Sequence, residues 1–151
     1  MVDDLVLHVL AIGLHDRPGA VHSVAEVFSG RGLQMEAFHG TADSLGANGH
    51  AQALILFRAS EERAHFVARV LRRLSSVSSA ELLSLEDPRL VQSVLIQRFD
   101  GNAPEGVCLV DLNDGVALAA GSPAAMQSWL ASPCAPRRLG AVRIDLMHRE
   151  Q

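Results

Sequence analysis

Leu14-His15-Asp16-Arg17-Pro18-Gly19-Ala20-Val21 is the segment whose residue types and spacing could do chemistry. An apolar run ends at His15, a Pro-Gly turn follows, and Val24, Ala25 and Phe28 then recur at helical spacing up to Ser29-Gly30-Arg31-Gly32. A helix opening beside a glycine presents backbone N–H groups to solvent with no side chain in the way, an arrangement suited to gripping a small carboxylate. The seven histidines, at 8, 15, 22, 39, 50, 65 and 148, raise a second possibility. His39 and His50 fall on strands expected to be neighbours and His15 at the mouth of the turn, so they are the candidate bases if the chain is an enzyme. No carboxylate or cysteine accompanies them at ligand spacing, and neither a metal nor another cofactor is implied. Neither cysteine lies beside a histidine, and no serine sits in a G-x-S-x-G elbow, so nucleophilic catalysis has no motif here.

The elements that must carry these residues follow from periodicity. Leu5 to Leu14 is almost continuously apolar and reads as a central strand, followed by a helix from Pro18 to Gly30. Gln34–Asp43 and His50–Phe57 read as a hairpin joined through Ser44-Leu45-Gly46-Ala47-Asn48-Gly49. Ser60 is placed to cap a second helix whose stripe is Ala64, Val67, Ala68, Leu71 and Leu74, and Val77–Leu85 closes the set as a strand. The order strand, helix, strand, strand, helix, strand is the split βαβ pattern of an α+β, ferredoxin-like βαββαβ module. Glu86-Asp87-Pro88-Arg89 marks a boundary, giving domains 1–86 and 87–151.

Beyond the boundary, Val91–Phe99, Val107–Leu112 and Val116–Ala120 read as strands, with a turn at Asn113-Asp114-Gly115. Ser122-Pro123 opens a short helix carrying Met126, Trp129 and Leu130 on one side, Pro133 and Pro136 stop it, and Leu139–Met147 is the last strand. This second module is an abbreviated ferredoxin-like βββαβ unit, Asp100–Gly106 standing where a first helix belongs.

Composition bounds the partners. The 151 residues are 48% hydrophobic and 20% charged, as in a packed globular chain. Thirteen arginines, no lysine and 17 acidic residues leave a formal charge of −4, which argues against a nucleic-acid partner. Arg63, Arg69, Arg72 and Arg73 cluster on the second helix, where pairing with Glu61 and Glu62 is expected; that helix is also the surface most open to a partner. No apolar run reaches about 18 residues, and Met1-Val2-Asp3-Asp4 lacks the positive start of a signal peptide, so the expectation is a cytoplasmic chain with no membrane contact. Modules of roughly 60 to 80 residues bury only about 60% of their unfolded surface, so two of them need each other or a second chain, and oligomerisation is the natural expectation.

About the first 85 residues resemble an ACT domain, the ferredoxin-like module that senses amino acids in biosynthetic proteins. The likeness is nearest to the regulatory small subunits of acetohydroxyacid (acetolactate) synthase. It is carried by Arg17-Pro18-Gly19-Ala20-Val21 and by Val27-Phe28-Ser29-Gly30-Arg31-Gly32-Leu33-Gln34-Met35-Glu36. More weakly, Val110-Asp111-Leu112, Ala119-Ala120-Gly121-Ser122 and Met126-Gln127-Ser128-Trp129-Leu130 resemble the C-terminal region of such subunits. The resemblance implies a non-catalytic homodimer that binds a small, branched-chain amino acid and modulates a catalytic subunit. It places the ligand between Asp16, Arg17, Pro18, Gly19, Ala20 and Val21 of one protomer and Gln34 and Met35 of its neighbour. The amides of Ala20 and Val21 would then face the ligand carboxylate, and the Gln34 amide carbonyl its ammonium group. Gln34 stands where these subunits usually have asparagine, Gly49-His50-Ala51-Gln52 departs from their third strand, and Arg143-Ile144-Asp145 replaces an Arg-Thr-Gly-like ending. Two other readings stay open: a stand-alone amino-acid sensor for another pathway enzyme, and a small enzyme using the interface cleft with His15, His39 or His50 as base.

Overall fold

The computed structural model describes residues 5–42, 50–98, 101–112 and 114–146. The chain divides into two compact units, Met1–Ser84 and Leu85–Gln151. Asp43 and the expected hairpin turn at 44–49, Phe99, Asp100, Asn113 and the end of the expected last strand lie outside the described residues.

The first unit runs β1 (Val6–His15), α1 (Ala20–Ser29), β2 (Met35–Ala42), β3 (His50–Ala59), α2 (Glu61–Leu71) and β4 (Val77–Leu83). Its strands form one antiparallel sheet in the order β2-β3-β1-β4, the ferredoxin-like arrangement that the alternation of elements implied. Even positions of β1 (Leu10, Ile12, Leu14) and odd positions of β3 (Ile55, Phe57) point into one core with Val24, Val27 and Phe28 of α1 and Val67 and Leu71 of α2. The Phe28 and Phe57 rings meet edge to face with centroids 5.1 Å apart. His8, the one break in the apolar run, is buried, and its Nε2–H donates to the Ala59 carbonyl at 3.1 Å. A satisfied buried imidazole of this kind is structural.

Several local expectations are corrected. Helix α1 starts at Ala20 rather than Pro18, and Val27 takes the core position that spacing assigned to the half-buried Ala25. Helix α2 stops at Leu71, where Arg73 and Leu74 turn to tighter bonds with the carbonyls of Val70 and Leu71. Ser60 makes no side-chain cap; the start of α2 rests instead on Glu61 and Glu62 near its positive end. Neither carboxylate pairs with the arginines of α2. Glu61 lies 3.8 Å from His65, whereas Arg63 donates to the Arg31 carbonyl at 2.8 Å and Arg72 to the Ala80 carbonyl at 2.7 Å.

The second unit runs β5 (Leu90–Gln97), β6 (Val107–Asp111), β7 (Val116–Gly121), α3 (Pro123–Leu130) and β8 (Arg143–Leu146), with sheet order β6-β7-β5-β8. This repeats the first sheet with one helix missing. Val107 enters β6 from a turn closed on the Pro104 carbonyl. Asp114 and Gly115 both have positive φ, 60° and 75°, in the tight reversal that lets Leu112 N–H donate to the Val116 carbonyl. Ser122 caps α3 by accepting from Ala125 N–H, and Met126 and Trp129 pack on Val94, Ile96, Ala117 and Ala119. Strand β8 is shorter than Leu139–Met147. Arg138 bridges Ile96, while pairing resumes only at Arg143 opposite Ser93, so two extra residues bulge between the two stretches. No described helix is long and apolar enough to cross a membrane.

Candidate functional site

Arg17-Pro18-Gly19-Ala20 is a type II turn: the Ala20 N–H donates to the Arg17 carbonyl at 3.2 Å, with proline second and Gly19 third at φ 85°, ψ −6°. A side chain at Gly19 would meet nothing within 4 Å, so it is the left-handed backbone that calls for glycine. The Gly19 carbonyl accepts from both the N–H and the hydroxyl of Ser23, at 3.0 and 3.1 Å, which seats the turn on α1.

This geometry changes which amides are offered. Ala20 is buried and its N–H is spent on the turn. Among the described residues the N–H groups of Val21 and His22 have no acceptor, and the Val21 side chain is half exposed. An anion at this helix start therefore meets Val21 and His22 rather than Ala20 and Val21. Asp16, Arg17, Pro18 and Gly19 are all exposed around them.

A serine run that carried no motif holds the turn in place. Arg17 donates to Ser75 Oγ at 2.9 Å, the His15 N–H donates to the Ser76 carbonyl at 3.0 Å, and the Gly13 N–H donates to Ser79 Oγ at 3.2 Å. A side chain at Gly13 would collide with the hydroxyls of Ser78 and Ser79, so β1 and β4 approach closely there. The sign in the sequence was Ser75-Ser76-Val77-Ser78-Ser79 itself. Ser76 Oγ is buried and has no partner among the described residues.

Gln34 is exposed just before β2, and Met35 is half-buried at its first position. Glu36 bulges out of register beside them and accepts from Arg58 Nε at 2.7 Å. Met35 faces Phe57, and Phe57 faces His8, so Gln34 lies at the end of the sheet where β1 begins. The Gly19 turn lies past His15, at the other end. The seven steps from His8 to His15 span roughly 23 Å of strand at about 3.3 Å each. One chain cannot bring Gly19 and Gln34 to a single small ligand.

The three candidate bases do not converge either. His15 faces His50 across β1 and β3, but His39 faces Leu54, four positions along β3 and about 13 Å away. Among the described residues no three His, Cys, Asp or Glu side chains are grouped to hold a metal ion. His22 and His65 form exposed i,i+4 pairs with Glu26 and Glu61, at 3.2 and 3.8 Å. Cys108 and Cys134 are free and exposed.

No protein-family model matches the sequence, and no curated protein matches it. Among solved structures, the acetolactate synthase small subunit from Thermotoga maritima superposes with a TM-score of 0.60 at 16% identity, over 97% of this chain and 99% of that one. The ligand-free regulatory subunit of aspartate kinase from Thermus thermophilus matches with a TM-score of 0.46 at 15% identity, over 84% and 93%. The ACT domain of GTP pyrophosphokinase from Chlorobium tepidum gives 0.46 at 17%, over 53% and 88%. At such identities the likeness is one of fold, and the first of the three alone spans nearly all of both chains. The chain therefore has two ferredoxin-like α+β units in sequence, the fold of an acetolactate synthase small subunit.

Proposed function

We propose that the protein is a non-catalytic regulatory subunit that dimerises and binds a small, branched-chain amino acid between protomers. The observation that carries this reading is the placement of the Gly19 turn and Gln34 at opposite ends of one sheet. A site using both needs a second copy of the chain. The ligand carboxylate sits on the N–H groups of Val21 and His22 with the positive end of α1 behind them, and Arg17, tethered to Ser75, adds charge at the rim. The partner's Gln34 then accepts from the ammonium group through its amide oxygen, and the partner's Met35 lines the apolar end. A ligand that prefers one arrangement of the dimer shifts an acetohydroxyacid-synthase-like catalytic partner by its differential affinity, typically about 1–3 kcal/mol. The first unit is the amino-acid-binding domain in this reading.

The test is calorimetric titration of the full chain with valine, leucine and isoleucine in turn. Saturable heat, at one site per protomer or one per interface, is the expected result. Absence of heat with every amino acid of a wider panel would overturn the sensor reading.

A further inference from the structure

The surface between α2 and the segment that follows α1 holds a groove of about 430 Å³. Leu33 and Val67, both buried, are among its lining. Phe66 stands over it 46% exposed, an unusual place for a large aromatic ring on an otherwise polar helix face. Arg31, Arg63 and Arg69 line the same groove. The guanidinium carbons of Arg31 and Arg69 lie 5.3 and 6.0 Å from the Phe66 ring centroid. Arg31 also donates to the Val27 carbonyl at 3.3 Å and Arg63 to the Arg31 carbonyl at 2.8 Å, which orients both forks.

None of these three arginines has a carboxylate partner among the described residues. With Glu62 as the acidic residue in the lining, the groove carries three positive charges against one negative, on a chain whose formal charge is −4. Guanidinium forks match carboxylates in geometry, and orientation by carbonyls and a ring lowers the entropy lost on pairing. A long polyanion would be repelled by the rest of the acidic chain. The ring is already flanked by cations, so it is poorly placed to stack on a nucleobase.

We propose that this groove docks an acidic segment of the protein partner, its carboxylates on Arg31, Arg63 and Arg69 and an apolar side chain on Phe66. This rests on the regulatory reading above, because it supplies the surface through which such a subunit would hold its catalytic chain. On a chain of net charge −4 the remaining surface repels an acidic segment, so the patch also sets where it docks.

The experiment is fluorescence anisotropy of the full chain with a fluorescein-labelled synthetic nonapeptide of glutamates interrupted by leucines. Binding in the micromolar range, weakened at least about 10-fold by Arg63→Glu with Arg69→Glu and left unchanged by Arg98→Glu in the second unit, is expected. Phe66→Ser alone, which keeps every charge, should also weaken binding severalfold and serves if the double variant does not fold. Peptide affinity unchanged in these variants, or no binding to the intact chain at about 100 μM, would overturn the proposal. So would tighter binding of pyrophosphate or an oligothymidylate lost in the same variants, which would make the groove a phosphate site. Valine titration of the double variant separates the two readings: heat retained there with peptide binding lost leaves the sensor site intact.

Discussion

Gly19 and Gln34 sit at opposite ends of the same four-stranded sheet, held apart by the length of β1. Antiparallel pairing through β3 makes β2 run parallel to β1, so the start of β2 can never approach the turn that ends β1 in the same chain. Any ligand that touches both residues reports an assembly.

That relationship predicts complementation between two inactive chains. Gly19→Asp and Gln34→Ala are each expected to abolish or strongly weaken amino-acid binding as homodimers. Co-expressed with different tags and purified through both, the mixed dimer carries one site with both lesions and one with neither. About half of the wild-type binding stoichiometry should return in calorimetry. A mixed dimer as inactive as its parents would mean that the two residues serve separate sites.

The two roles of Gly19 separate by substitution. At φ 85° any other residue is strained by roughly 1 kcal/mol, although a methyl group there meets nothing within 4 Å. Gly19→Ala should therefore lower thermal stability by a few degrees and retain most of the binding. Gly19→Asp carries the same strain and adds a carboxylate beside the Val21 and His22 amides, where it competes with the ligand's own. Loss of binding in the alanine variant as complete as in the aspartate variant would make the turn conformation alone responsible.

Acid stability has a local contributor at the start of the second unit. Asp87 accepts from the Arg89 side chain at 3.0 and 2.8 Å and from the Arg89 backbone N–H at 2.9 Å, which lowers its pKa from 3.8 to about 2. Because the folded value lies below the unfolded one, the contribution is complete above about pH 4 and is lost as pH falls through about 2. The partners are two residues apart and Arg89 is partly exposed, so the effect is under about 1 kcal/mol. Asp87→Asn should unfold more easily than wild type in denaturant at pH 5, and the two curves should merge near pH 2. A difference that persists at pH 2 would assign the loss to packing instead of charge.

Periodicity and turn chemistry were enough to read the order of elements. Alternating apolar positions distinguish strands from the i, i+3, i+4 stripes of α1 and α2, and Pro-Gly, Asp-Gly and Ser-Pro mark the joints wherever a backbone requirement is local. The bulge before β8 was not legible, because pairing with Ile96 and then Ser93 is decided by the neighbouring strand and not by the residues of the segment. The arginines of α2 illustrate the same limit. Helical spacing offered them Glu61 and Glu62, yet carbonyls from other parts of the unit and the Phe66 ring of the helix itself compete for the guanidinium forks.

The candidate site divides along that line. The sequence by itself determined that a glycine must occupy the turn and that a helix must open behind it, since both follow from steric rules acting over four or five residues. The same local rules withdraw the Ala20 N–H, because Pro-Gly closes a type II turn on the Arg17 carbonyl. Tertiary structure brought Ser75, Ser76 and Ser79 to brace β1 and its turn from a distant segment. It put Gln34 out of reach within one chain, because distances across a sheet are set by strand order and register, quantities that no single stretch of residues contains.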